Sequence, residues 1–151
     1  MLKRIAAVGA AAALVWGLGT APASARSDYF ASKNIATGRC LDYRSDYGIY
    51  ATGCNGGAYQ AWLMDETASL SKVQQKATGL CLVARNGQAV MRTCVDGDPA
   101  AVWQLKETSV GTLMVNNVTK TCLAEGSDSY HHVNLSSCTG GSSQQWLIYY
   151  V

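Results

Sequence analysis

The chain has 151 residues, with 12 basic and 10 acidic side chains and a formal net charge of +2, a length that suits one ordinary domain with a modest core. A balance this close to neutral excludes recruitment of nucleic acid by bulk charge. Six cysteines against only two histidines point to cross-links rather than a metal centre, provided the chain reaches an oxidising compartment.

At the N-terminus, Lys3 and Arg4 precede an apolar run of 14 residues, Ile5 to Leu18, and Ala23-Ser24-Ala25 supplies a small-x-small cleavage pattern. This is the layout of a signal peptide over residues 1–25, cut near Ala25. The run falls short of the roughly 20 apolar residues that cross a bilayer. The expectation is therefore a secreted, extracellular chain without a membrane anchor. The first cysteine is Cys40, far beyond the cut, which leaves no lipid acceptor at the new N-terminus. Residues 26–151 then form a single domain carrying ten basic and ten acidic residues.

Within that domain Cys40, Cys81 and Cys122 recur every 41 residues, and Cys54, Cys94 and Cys138 follow at steps of 40 and 44. Trp62, Trp103 and Trp146 keep the same phase, each eight or nine positions after the second cysteine of its copy. Each copy opens with a turn that feeds a strand: Thr37-Gly38-Arg39-Cys40-Leu41, Thr78-Gly79-Leu80-Cys81-Leu82 and Thr119-Lys120-Thr121-Cys122-Leu123. Such a period marks repeats of one supersecondary unit, at about 29–67, 68–109 and 110–151. Strand-like runs fall at Cys81–Ala84, Ala89–Cys94, Val102–Glu107, Leu113–Asn117, His132–Ser136 and Gln145–Tyr150, and no segment after residue 25 has sustained helical periodicity. About four strands per copy gives about twelve, which must close on themselves or leave exposed edges. A threefold closed all-β fold follows. If the copies share one conformation, the most economical pairing is Cys40–Cys54, Cys81–Cys94 and Cys122–Cys138; other symmetric pairings stay open. Loops of this size contribute about 3 kcal/mol per bridge in the chain-entropy view.

A Q-x-W element closes two copies, as Gln60-Ala61-Trp62 and Gln144-Gln145-Trp146, with Ala101-Val102-Trp103 in the second. With the Gly-x-Cys-Leu-Asp lead-in of Gly38 to Asp42, this resembles the ricin-B-type (R-type lectin) β-trefoil family across the whole secreted portion. That resemblance implies a β-trefoil with the tryptophans in the core. The first copy is more specific. Asn34 to Asp42, Ile49-Tyr50 and Cys54 to Trp62 resemble the mannose-binding repeat of the actinohivin type of lectin. The resemblance implies contacts to a terminal α-linked mannose from Asp42, Tyr50, Asn55 and Tyr59. Thr52 stands where that repeat has a leucine beside the sugar, a departure that bears on specificity.

The chemistry of these side chains suits a pyranose. An ionised Asp42 can accept from two neighbouring hydroxyls, and the Asn55 amide can donate and accept at the next. Tyr50 and Tyr59 offer rigid apolar faces with polar tips. Gly56 and Gly57 allow a tight turn between them. Gln60 is expected behind the site, steadying the Asp42 carboxylate, which is itself expected at the rim. The matching positions are Val83, Val90, Val95 and Ala100 in copy two, and Ala124, Asn134, Thr139 and Ser143 in copy three. Neither set has the carboxylate or an aromatic wall, so the expectation is one glycan site, of high-mannose type.

Signals for other chemistry are weak. His131 and His132 lie in the stretch by which copy three exceeds the others, and are read as an exposed loop without acidic company. Asp65-Glu66 reads as a solvated turn, and Asp96 and Asp98 sit in a Gly-Pro turn of copy two. No nucleophile-base grouping, phosphate loop or metal-ligand spacing is visible. The reading is a non-enzymatic lectin-like domain without cofactor or metal. The alternative is a trefoil that has lost sugar binding and serves as a protein-binding or inhibitory partner.

Overall fold

The computed structural model describes residues 28–151; the expected signal peptide lies outside them. Repeat 1 contributes β1 (Asp28–Asn34), β2 (Cys40–Arg44), β3 (Gly48–Thr52) and β4 (Trp62–Met64). Repeat 2 contributes β5 (Ser71–Lys72), β6 (Gln74–Gln75), β7 (Leu80–Arg85), β8 (Gln88–Thr93) and β9 (Val102–Glu107). Repeat 3 contributes β10 (Thr112–Asn116), β11 (Cys122–Glu125), β12 (Val133–Ser136) and β13 (Gln145–Tyr150). Two single-turn 3-10 segments, Pro99–Ala101 and Ser142–Gln144, precede β9 and β13. The count exceeds the expected twelve because the first strand of repeat 2 breaks at Val73. That residue is fully buried, and its carbonyl accepts from Leu82 N at 2.9 Å, in the register that pairs Gln74 with Cys81.

Six antiparallel pairings close a ring. β1 pairs with β4 and β13, β4 with β6, β5 with β9, and β10 with β9 and β13. Closure leaves this barrel without a free edge. Three hairpins, β2–β3, β7–β8 and β11–β12, cap one end. This is a β-trefoil, as expected from the repeats.

The threefold symmetry extends to single hydrogen bonds. Trp62, Trp103 and Trp146 are fully buried, and their indole N–H groups donate to Leu41 O, Leu82 O and Leu123 O at 3.1, 2.8 and 3.0 Å. Buried indoles need such a partner, and each bond ties the end of a repeat to its own first hairpin strand. The lead-in turns also match: Gly38 N, Gly79 N and Lys120 N donate to Asn34 O, Gln75 O and Asn116 O. All three donors have positive φ, at 71°, 68° and 57°. Lys120 adopts without glycine a conformation that glycine takes at little cost. The disulfides are Cys40–Cys54, Cys81–Cys94 and Cys122–Cys138, the pairing that symmetry favoured.

Candidate functional site

Strand register places the site residues. Asp42 pairs with Tyr50 across β2 and β3, and the same register sets Val83 opposite Val90 and Ala124 opposite Asn134. The three hairpins are thus equivalent at the positions matched in sequence. Because side chains alternate along a strand, Asp42 and Arg44 share a face, as do Tyr50 and Thr52. With Asn55, Gly57 and Tyr59 they line a hollow of about 460 Å³. Asp42, Tyr50, Asn55, Tyr59 and Thr52 therefore stand together. Arg44 is a lining residue that the sequence reading missed, although its i+2 spacing from Asp42 on one strand was the available signal.

Asp42 is not at the rim, as expected from sequence, but buried, with 3% of its surface exposed. Leu41, the neighbour before it, is anchored by the Trp62 indole, so the strand beneath the carboxylate is fixed. Asp42 Oδ2 accepts from Gln60 Nε2 at 3.0 Å. Oδ1 is buried and forms no hydrogen bond of good geometry among the described residues, while the Tyr50 hydroxyl stands close enough to the carboxylate for Asp42 to act on it by hydrogen bonding as well as by charge. A buried acceptor left unpaired costs about 1–3 kcal/mol, so such an atom in a folded protein calls for a water, an ion, a ligand or stored strain to account for it.

Gln60 does the steadying that the sequence reading assigned to it. Besides Asp42, its Nε2 donates to Gly53 O at 3.0 Å, and its Oε1 accepts from Asn55 N at 2.8 Å. One buried amide thus ties the carboxylate to the loop after β3. Asn55 is less free than expected: its Oδ1 accepts from Gly57 N at 2.7 Å, and a Cβ on Gly57 would stand 2.9 Å from that oxygen. The outward role left to Asn55 is donation from Nδ2. Tyr59, 49% exposed, is held from behind by repeat 2, where buried Gln75 donates to Tyr59 O at 2.7 Å. Tyr50 is half-buried, and its hydroxyl is pushed up to about 12 from 10.0, first by burial and then by the Asp42 carboxylate beside it.

The equivalent places differ. In repeat 3, Gln144 Oε1 accepts from Thr139 N and Gly140 N, while its Nε2 donates to Ser136 Oγ and Ser137 O. In repeat 2 the position is Ala101, fully packed and apolar.

The histidine loop corrects the sequence reading. His131 is half-buried, its carbonyl accepts from Ala51 N at 2.9 Å, and His132 bridges to Tyr50. Both rings have acidic company: His131 Nδ1 lies 2.9 Å from buried Glu125 Oε1, and His132 Nδ1 lies 2.9 Å from Asp128 Oδ1. Elsewhere Asp65 folds back on Thr67 and Ala68 in a turn, and Asp96 pairs with Lys72. Among the described residues no group of three or more His, Cys, Asp or Glu could hold a metal ion.

The profile of the ricin-type β-trefoil lectin domain matches residues 28–147. No curated protein matches the chain in sequence. Among solved structures, the designed threefold-symmetric protein ThreeFoil superposes with a TM-score of 0.72 at 19% identity, covering 82% of this chain and 99% of that one. The Rhizoctonia solani agglutinin gives 0.70 at 18%, covering 87% and 100%. SeviL, solved bound to the asialo-GM1 saccharide, gives 0.68 at 14%, covering 83% and 99%. The chain spans only 33% of a Clostridium perfringens endo-β-galactosidase that it also resembles, at a TM-score of 0.71, 14% identity and 83% coverage of this chain. At these identities the likeness to solved structures speaks for the fold, and the profile match over nearly all of the described residues speaks for the family: the chain belongs to the ricin-type β-trefoil lectins.

Proposed function

We propose that the chain is a secreted lectin-like module that binds mannose-type glycans through one site, the hollow of repeat 1. Asp42 Oδ1 accepts from a sugar hydroxyl, Asn55 Nδ2 donates to a neighbouring one, and Tyr50 and Tyr59 flank the ring. Gln60 holds the carboxylate from behind. The observation that carries this reading is one hollow lined by the Asp42 carboxylate, the Asn55 amide and two tyrosines. A ligand hydroxyl donating to the carboxylate would form a charge-assisted bond, stronger than a neutral one. Three disulfides support export to an oxidising compartment. The resemblance of repeat 1 to the actinohivin type supports mannose as the sugar.

Titration of the purified chain against an immobilised mannose-rich glycan and against galactose-terminated controls tests the reading. The expected result is saturable mannose binding at one ligand per chain, lost in Asp42→Ala. Three ligands per chain would show that repeats 2 and 3 are not silent. Retained binding in Asp42→Ala would remove the carboxylate from the site. Binding to no glycan at all would leave the protein-binding reading of the trefoil.

A further inference from the structure

The hairpin loops differ in length between repeats. Three residues, Ser45 to Tyr47, join β2 to β3; two, Asn86 and Gly87, join β7 to β8; seven, Gly126 to His132, join β11 to β12. The long loop is held in place by its own bonds. Asp128 Oδ1 accepts from Tyr130 N at 2.9 Å, Asp128 O accepts from His131 N at 3.0 Å, and Gly126 N donates to His132 O at 2.7 Å. A Cβ on Gly126 would stand 2.9 Å from Asp128 Oδ2 and 3.0 Å from His132 O, so a side chain there would have to push the loop apart. His131 sits at φ 54°, a conformation a non-glycine residue takes at a cost. Its carbonyl binds Ala51 N, and Glu125, facing the His131 ring, also accepts from Thr37 Oγ1 of repeat 1 at 2.7 Å.

The loop thereby builds a second hollow, of about 530 Å³, against repeat 1. Tyr50, Thr52 and Arg44 line both this hollow and the Asp42 hollow, so the two adjoin across Tyr50. Three rings run in sequence along it, Tyr50 to Tyr47 at 5.6 Å between centroids and Tyr47 to Tyr130 at 6.4 Å, and His132 continues the row outside the hollow, 5.6 Å from Tyr130. Tyr47 and Tyr130 are 47% and 60% exposed. Aromatic faces grouped at the surface beside a polar hollow mark a binding surface rather than a core. Arg39, also in the lining, makes no side-chain hydrogen bond or ion pair among the described residues, and its guanidinium is a free set of donors.

We propose that this hollow is a second subsite, which holds the sugar unit linked to the one in the Asp42 hollow, so that the protein recognises an oligosaccharide chain rather than one terminal sugar. Tyr130 and Tyr47 stack on the second ring, and Arg39 donates to its hydroxyls. The site is then shared between repeats 1 and 3, and the silent repeat acts by extending the active one. This rests on the reading of the Asp42 hollow as a mannose site, and the test separates the two.

Methyl α-mannoside, an α-linked mannobiose and an α-linked mannotriose are titrated against the parent chain, Tyr130→Ala, Arg39→Ala and Asp42→Ala. Tyr130 is exposed and makes only ring contacts through its side chain, so its removal leaves the fold intact, which thermal unfolding checks. In the parent the longer sugars should bind about fivefold or more tighter than the mannoside, the size of one aromatic contact. Tyr130→Ala should lose most of that gain and leave mannoside affinity within about twofold, a change well below one hydrogen bond. Arg39→Ala should act in the same direction and less strongly, and Asp42→Ala should lose all three ligands. In spectra of the parent, the ring signals of Tyr130 should shift with mannotriose and not with the mannoside. Equal affinity for all three lengths in the parent would overturn the second subsite and leave the first standing. So would a Tyr130→Ala loss that is the same for mannoside and mannotriose. A parent that binds no mannoside of any length would overturn both.

Discussion

Gln60 in repeat 1 and Gln144 in repeat 3 stand at the same place, two residues before a core tryptophan, and both use the side-chain amide to bind the loop after the second cysteine. In repeat 1 the amide nitrogen also reaches Asp42. In repeat 3 the position of Asp42 is Ala124, and the nitrogen turns to the Ser136 hydroxyl instead. Repeat 2 has lost the amide as well, and Ala101 fills the space with apolar packing. The scaffold bonds that hold a hairpin to its tryptophan are kept in all three repeats, whereas the groups that face outward are kept in one. Packing constrains the back of each hairpin from every side, while the front is free to change because water can replace any partner lost there.

That contrast can be attacked from the scaffold side first. Replacing Trp62, Trp103 or Trp146 by alanine should each cost about 3–5 kcal/mol, since all three are fully buried. Urea unfolding of the three variants should give similar losses; a repeat that tolerates the change would break the equivalence of the scaffolds.

Asp42→Ala should weaken glycan binding by about 1.5–3 kcal/mol for each charge-assisted bond lost, enough to carry a monovalent site out of detection. Its thermal midpoint should fall only modestly, because the bond lost from Gln60 Nε2 is partly covered by that nitrogen's second bond, to Gly53 O. A midpoint collapse would mean that the carboxylate belongs to the scaffold after all.

Gln60→Ala and Gln144→Ala sharpen the same division. Both should destabilise the fold by about 1 kcal/mol, since each removes part-buried side-chain bonds to the loop after the second cysteine. Only the first should weaken glycan binding. Equal binding losses would place a ligand at repeat 3.

The smallest effect is the titration of Tyr50. Its folded value, about 12, lies above the ordinary 10.0, so the native state holds this proton more tightly than the unfolded chain. The resulting stability is complete below pH 10 and is lost as pH rises through 12. Tyrosinate absorbance should show a late-titrating component that is absent in Tyr50→Phe and shifted part of the way back in Asp42→Asn. A full return to 10.0 in Asp42→Asn would contradict burial as the leading cause.

Much of this was legible in the sequence because repetition carries its own check. The phase of Cys40, Cys81 and Cys122 with the three tryptophans gave the copies and favoured one cysteine pairing over the other symmetric ones. Asp42 and Tyr50 were grouped by the resemblance of repeat 1; that they face each other across one hairpin is supplied by the strand register. The depth of Asp42 was not legible, since burial depends on what packs around a hairpin and the Asp-Tyr spacing is the same at a rim or a floor. Nor was the engagement of Asn55 Oδ1 with Gly57, although Asn-Gly-Gly already signalled a turn.

By itself the sequence determined the number of units and which unit keeps a carboxylate between tyrosines, and it favoured one cysteine pairing without excluding the other symmetric ones. These are relations within a repeat, and residue spacing is enough to specify them. The tertiary structure alone decided what lies next to what across repeats: His131 against Ala51, Gln75 behind Tyr59, and Tyr130 beside Tyr47. Barrel closure brings the three hairpins onto one end, where residues some 80 positions apart in sequence become neighbours, and a loop that reads as an insertion in repeat 3 becomes a wall of repeat 1.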